Sequence, residues 1–132
     1  MYEDTDMVSL LKAYKDIKNN KVYLSKNYSF DINKFNYRST GFGSPLVWSH
    51  GLLACMQSED ALGIYAWHRF PKKLTLLRYD ACGHGLSASS NNKTDYIWTN
   101  LATNIEQLIS AVLGDQTVIL GGQSMGCASS LF

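Results

Sequence analysis

The sequence predicts an α/β fold, a doubly wound, mostly parallel sheet with an N-terminal antiparallel hairpin. Three observations predict it. From residue 46 onward, short apolar runs alternate with longer segments of helical periodicity, the pattern of strands joined by crossover helices. The runs at 46–49, 74–79 and 117–120 each lead into a glycine-containing turn. Between the last two, residues 94–113 place Ile97, Trp98, Leu101, Ile105, Leu108, Ile109 and Val112 on one helical face, with Gly114 as the stop.

Taken in order, residues 4–18 carry Met7, Leu10, Leu11, Tyr14 and Ile17 at helical spacing, with acidic residues in the first turn where they complement the helix dipole. This predicts an amphipathic helix closed by Asn19-Asn20, an N-terminal unit over 1–20 preceding the domain at 21–132. Residues 21–29 and 34–39 alternate as paired strands around a polar turn at 31–33. Residues 40–45, Thr-Gly-Phe-Gly-Ser-Pro, form a turn; no helix with a third glycine follows, so a dinucleotide fingerprint is rejected. A helix is expected over 58–70, the strands at 46–49, 74–79 and 117–120 are expected to be parallel and buried, and a last helix starts at Met125. Right-handed crossovers then bring the turns after the three strands to one crevice at their carboxyl ends, where ligands bind in such sheets.

The last of those turns carries the chemistry. Gly122-Gln123-Ser124-Met125-Gly126 follows an apolar strand and precedes small, helix-compatible residues. The pentapeptide alone arises by chance in roughly one chain in ten of this length. Its strand-turn-helix setting is what makes Ser124 a candidate nucleophile, exposed on a turn so tight that glycine is needed two positions to either side. The helix from Met125 would aim its free N–H groups at the same spot. An acyl-transfer serine also needs two preorganised N–H donors for the developing oxyanion. The turn His50-Gly51-Leu52-Leu53 after the first buried strand offers Leu52, and Met125 offers the second. His50 reads as a residue that organises this turn in preference to a proton carrier.

Three motifs now stand in order: His50-Gly51, then Tyr79-Asp80-x-x-Gly83-His84-Gly85-x-Ser87, then Gly122-x-Ser124-x-Gly126. Together they resemble the α/β-hydrolase fold superfamily over residues 22–132, most closely its esterase, enol-lactonase and cofactor-free haloperoxidase branch. The resemblance implies a truncated α/β-hydrolase core, the N-terminal half of a hydrolase domain through the nucleophile elbow. It implies a serine hydrolase that acts on an ester, thioester or lactone through a covalent acyl-enzyme, with no metal and no cofactor. Asp80, Gly83, His84, Gly85, Gly122 and Gly126 match structural positions of the motifs, as do His50 and Gly51. In this family the acid and the histidine follow the serine, whereas His50, His68 and His84 all precede Ser124. The chain as given is therefore expected to be inactive alone, with a complementing C-terminal segment as a possible partner. The alternative is a non-catalytic binding protein or degenerate fragment on the same scaffold. One departure is Cys82, where relatives commonly carry arginine; a thiol cannot pair as a guanidinium does.

Composition narrows the field further. With a formal net charge of +1 and dispersed Lys and Arg, the chain offers no field for nucleic acid or an anionic membrane. No apolar stretch approaches the ~20 residues that span a bilayer. The N-terminus is acidic where a secretory signal is basic and then apolar, which predicts a cytoplasmic location. Cys55, Cys82 and Cys127 are widely spaced and fit neither a disulfide framework nor a zinc site, and Cys127 is expected to be a small buried packing residue.

Overall fold

A computed structural model describes residues 30–132. The expected helix at 4–18 and the strand at 21–29 lie outside the described residues. Among the described residues, four strands, β1 (Tyr37–Thr40), β2 (Pro45–Ser49), β3 (Thr75–Tyr79) and β4 (Ile119–Gly122), form one mixed sheet in the order β1-β3-β2-β4. β2 is parallel to both β3 and β4, while β1 runs antiparallel to β3 with Tyr37 opposite Tyr79 and Thr40 opposite Leu76. The α/β class and the mostly parallel sheet are therefore as expected. Among the described residues there are three α-helices: α1 (Met56–Leu62), α2 (Trp98–Leu113) and α3 (Met125–Leu131).

The alternation of side chains along the strands decides which face each helix covers. Val47, Leu77 and Tyr79 point to one face and join Leu101, Ile105 and Leu108 of α2 and Met125 of α3 in the main core. Trp48 and Arg78, register partners on the opposite face, meet α1 and the segment after it. There Glu59, only 1% exposed, accepts from the Trp48 indole at 3.1 Å and from Arg78 at 3.0 Å. The carboxylate is buried because two donors compensate its lost hydration.

Four boundaries differ from expectation. The helix expected over 58–70 begins at Met56 and ends at Leu62, where Gly63 takes the left-handed conformation and its N–H returns to Glu59 and Asp60 carbonyls. Residues 64–70 then turn away, with Trp67–Arg69 as a single 3-10 turn, so that Tyr65 and Trp67 pack edge-on against Trp48 at 4.8 and 5.2 Å. The long helix starts at Trp98; Lys93–Tyr96 is a separate 3-10 turn whose cap Asn92 accepts from the Thr94 N–H. Ile97 and Trp98 consequently sit half-exposed, while Asn100, Thr103 and Asn104 are buried. The strand expected over 34–39 is Tyr37–Thr40, because Ile32–Lys34 forms a 3-10 turn capped by Asp31. The last strand is displaced two residues, to Ile119–Gly122. Gly121 lies opposite Trp48, whose ring comes within 3.1 Å of where a Cβ would sit, so the strand continues through glycine to accommodate the indole. Cys127, expected to be buried, is exposed. Ile119 and Leu120 of β4 are also exposed, at 65% and 42%.

Candidate active site

The last residues of β2, β3 and β4 are level. Ser49 pairs with both Tyr79 and Gly122, so the turns that follow, at His50, Asp80 and Gln123-Ser124, emerge at the same height. This register brings the three sequence motifs to one end of the sheet.

The turn at Ser124 is strained. Ser124 has φ 49° and ψ −114°, a region that non-glycine residues rarely occupy, and its side chain is exposed. The Gln123 N–H donates to the Ser49 carbonyl at 3.1 Å, and the Gly126 N–H closes the turn onto the Gln123 carbonyl at 2.9 Å. Both flanking glycines are required by close approach. A Cβ on Gly122 would lie 2.7 Å from the Cys127 nitrogen, and one on Gly126 would lie 2.0 Å from the Ser49 carbonyl oxygen. Met125, the first residue of α3, is buried, while Leu52 is 64% exposed. Gly51 sits where an added Cβ would come within 3.5 Å of the Gln123 carbonyl, which seats the His50-Gly51 bend against the serine turn. Among the described residues, the non-glycines with positive φ are Ser124 and Leu53, at φ 49° and 63°. Both lie in these facing turns. Sequence reasoning did not single out Leu53, because leucine carries no signal for that conformation.

His50 is 1% exposed and both ring nitrogens are engaged. Its Nε2 accepts the Ala81 N–H at 2.9 Å, which makes Nδ1 the protonated nitrogen, donating to the Gly51 carbonyl at 2.8 Å. The ring is a neutral brace between the turns after β2 and β3. Burial pushes its pKa below the usual histidine value, outweighing the Gly51 carbonyl and the Asp80 and Glu59 carboxylates, which raise it; nearby His84 lowers it further. The His84 ring lies 5.1 Å from that of His50, and its Nδ1 pairs with the Cys82 carbonyl at 2.9 Å. No hydrogen bond joins Ser124 to a histidine among the described residues, and His68 lies on the Trp67–Arg69 turn beyond α1.

Asp80, also 1% exposed, ties three segments together. Oδ1 accepts the Met56 N–H at 2.8 Å, while Oδ2 accepts from Asn36 Nδ2 at 2.7 Å and from the Leu86 N–H at 3.0 Å. Gly85 passes so close to this carboxylate that a Cβ would lie 2.2 Å from Oδ2. Gly83 is also closely packed, with a Cβ there lying 2.9 Å from the Tyr96 ring. Ser87 completes the loop by donating to the Asp80 carbonyl at 2.6 Å and accepting the Asn36 N–H at 2.8 Å. In this loop Cys82 donates its thiol to the Ala88 carbonyl at 3.7 Å, and burial raises its pKa so that the proton is held more tightly. Under the serine turn, Ser49 Oγ and Tyr79 Oη are 3.0 Å apart, and burial pushes the tyrosine up to about 12.

No metal-binding cluster of His, Cys, Asp or Glu is present among the described residues, and no helix among them is long and apolar enough to cross a membrane.

No family model matches the sequence. No curated protein is significantly similar to it. Solved structures do match. An α/β-hydrolase enzyme from a Medee basin deep-sea metagenome library superposes with a TM-score of 0.60 at 24% identity, covering 73% of this chain and 34% of that one. A hydrolase from Pseudomonas aeruginosa gives 0.61 at 24% identity, covering 80% and 39%. A thermophilic esterase from Thermogutta terrifontis gives 0.60 at 21% identity, covering 70% and 32%. The chain thus has the α/β-hydrolase fold, and it spans roughly a third of the length of the hydrolases that it matches.

Proposed function

We propose that this chain is the nucleophile-bearing, N-terminal part of a serine hydrolase that cleaves carboxylic esters, thioesters or lactones through an acyl-enzyme. The observation that carries the reading is Ser124 itself, exposed at φ 49° and ψ −114° and level with the His50 bend at the carboxyl end of a parallel sheet. A polar side chain held in a costly backbone conformation at a ligand-binding edge is a marker of function. In this reading Ser124 Oγ attacks the carbonyl carbon, and the oxygen that becomes negative is held by the Leu52 and Met125 N–H groups. The alcohol, thiol or ring oxygen leaves, and water then releases the acid from the serine.

The proton carrier comes from elsewhere in the hydrolase domain. His50 has both ring nitrogens occupied, and neither His84 nor His68 is hydrogen-bonded to Ser124. This chain covers only about a third of each matching hydrolase, leaving ample chain in those proteins for a histidine and the carboxylate that orients it. A non-catalytic binding role on the same scaffold makes the opposite prediction about reactivity.

Covalent labelling separates the two. A fluorophosphonate probe incubated with the protein in its full natural length should mark Ser124, phosphorus gaining the serine oxygen and losing fluoride, and Ser124→Ala should remain unmarked. Equal labelling of both forms, or of neither, overturns the assignment.

A further inference from the structure

Resting on the serine-hydrolase reading above, we infer that the substrate is an uncharged aliphatic ester or lactone whose hydrocarbon part lies against Leu53, with Leu52 and Leu86 beside it. Leu53 sets the preference for that chain. The same surface selects against dicarboxylate esters and against thioesters of phosphorylated carriers.

Leu53 is kept where a leucine is unfavourable twice over. Residues 51–54 form a turn closed by the Ala54 N–H on the Gly51 carbonyl at 3.1 Å. Its third residue, Leu53, has φ 63°, and a positive φ at that place in a turn calls for glycine or asparagine. The same residue is 92% exposed, so its side chain gains no packing that would offset the strain. The turn itself is firmly held. Gly51 seats against Gln123 of the serine turn, and just beyond Leu53 the Met56 N–H donates to one Asp80 oxygen while the Leu86 N–H donates to the other. Leu52 and Leu86, both exposed, therefore stand on two turns that one carboxylate fixes together. Apolar side chains on a fixed backbone take up a hydrocarbon chain with little further ordering of the protein.

Charge is missing from the same rim. Residues 50–58, 81–92 and 116–132, which include the turns after β2, β3 and β4, contain no Lys, Arg, Asp or Glu, although 17% of the chain is charged. Asp80, which precedes the second of these stretches, is buried and has both oxygens committed. Lys34 and Asp95, the charges that act on Cys82 in that stretch, are opposite in sign. A substrate bearing a carboxylate or phosphate would find no cation among these turns to replace its hydration, whereas a hydrocarbon chain removes leucine surface from water along with its own.

The test measures kcat/KM of the protein in its full natural length for 4-nitrophenyl acetate, 4-nitrophenyl hexanoate and the mono-4-nitrophenyl ester of adipic acid, which matches the hexanoate in acyl length and adds a terminal carboxylate. Hexanoate should exceed both acetate and the adipate ester about tenfold, since an exposed rim buries its methylenes only in part. Leu53→Asn places at positive φ a residue that tolerates it, so urea unfolding should show no loss of stability, while the hexanoate-to-acetate ratio should fall about threefold. Leu53→Met should keep most of the ratio. An unchanged ratio in Leu53→Asn, an adipate ester turned over as fast as hexanoate, or labelling of Ser124 by fluorophosphonate without turnover of hexanoate overturns this inference and leaves the hydrolase reading standing. A loss of stability in Leu53→Asn with the ratio unaltered also overturns it, because another part of the polypeptide would then be what covers Leu53. Absence of both turnover and Ser124 labelling overturns the two readings together.

Discussion

His50 Nε2 accepts the backbone N–H of Ala81 across 2.9 Å, fastening the turn after β2 to the turn after β3. The bond exists only while that nitrogen is unprotonated. Burial holds the His50 pKa below the 6.5 of a free histidine. Near neutrality neither the folded nor the unfolded chain carries the proton, and the group contributes nothing to pH dependence. As pH falls through about 6.5 the unfolded chain takes up a proton that the folded chain refuses, so stability falls, levelling once the lower folded pKa is passed. Urea unfolding between about pH 7 and pH 5 should show this loss, and His50→Gln, which keeps an acceptor but cannot titrate, should flatten it. An identical slope in the variant would assign the effect to other groups.

Asp80 performs the same bracing with charge. Its two oxygens accept from Met56, Asn36 and Leu86, which lie on three separate segments. Asp80→Asn preserves shape but replaces one acceptor with an NH2 group that faces donors. Loss of a charge-assisted bond together with an unpaired buried donor should cost about 3 kcal/mol. Urea denaturation checks the magnitude. Asn36→Ala removes one donor and should cost about 1 kcal/mol, with the double variant less than additive because the two share an interaction.

How far the sequence could be read follows from which signals are local. The strands at residue 46 and at residue 74 were legible because Leu46-Val47 and Leu74 to Leu77 have no alternative to burial, and the three motifs were legible because glycine spacing reports close backbone approach directly. The end of β4 was not. Gly121-Gly122 looks like a turn until the Trp48 ring is seen to lie 3.1 Å from where a Gly121 Cβ would sit, and that ring belongs to a strand more than seventy residues away in sequence. The overlong helix at 58–70 failed for a similar reason: Gly63 releases the chain after Leu62, and Tyr65 and Trp67 beyond it make their contacts with Trp48. At the site, Ser124, Gly122 and Gly126 were legible, whereas the left-handed Leu53 and the placement of the His50 proton depend on tertiary neighbours.

Gly126 gives the sharpest test of the elbow, because its need for glycine is purely steric. Its φ is not in the left-handed region, unlike that of Gly63. A methyl group on Gly126 would press 2.0 Å from the Ser49 oxygen and 2.6 Å from the His50 oxygen, both backbone atoms that cannot rotate aside. Gly126→Ala should therefore cost about 3 kcal/mol or more, by forcing α3 away from the end of β2. At Gly63, where nothing lies within 4 Å, the same methyl group meets only backbone strain and should cost about 1 kcal/mol. Thermal or urea unfolding of the two variants distinguishes collision from strain. The displacement in Gly126→Ala should also carry Met125 away from the His50 bend, so that fluorophosphonate labelling of Ser124 in the full-length protein falls even at temperatures where the variant remains folded. Similar stability losses at positions 63 and 126 would mean that α3 does not sit against β2 as closely as its glycine requires.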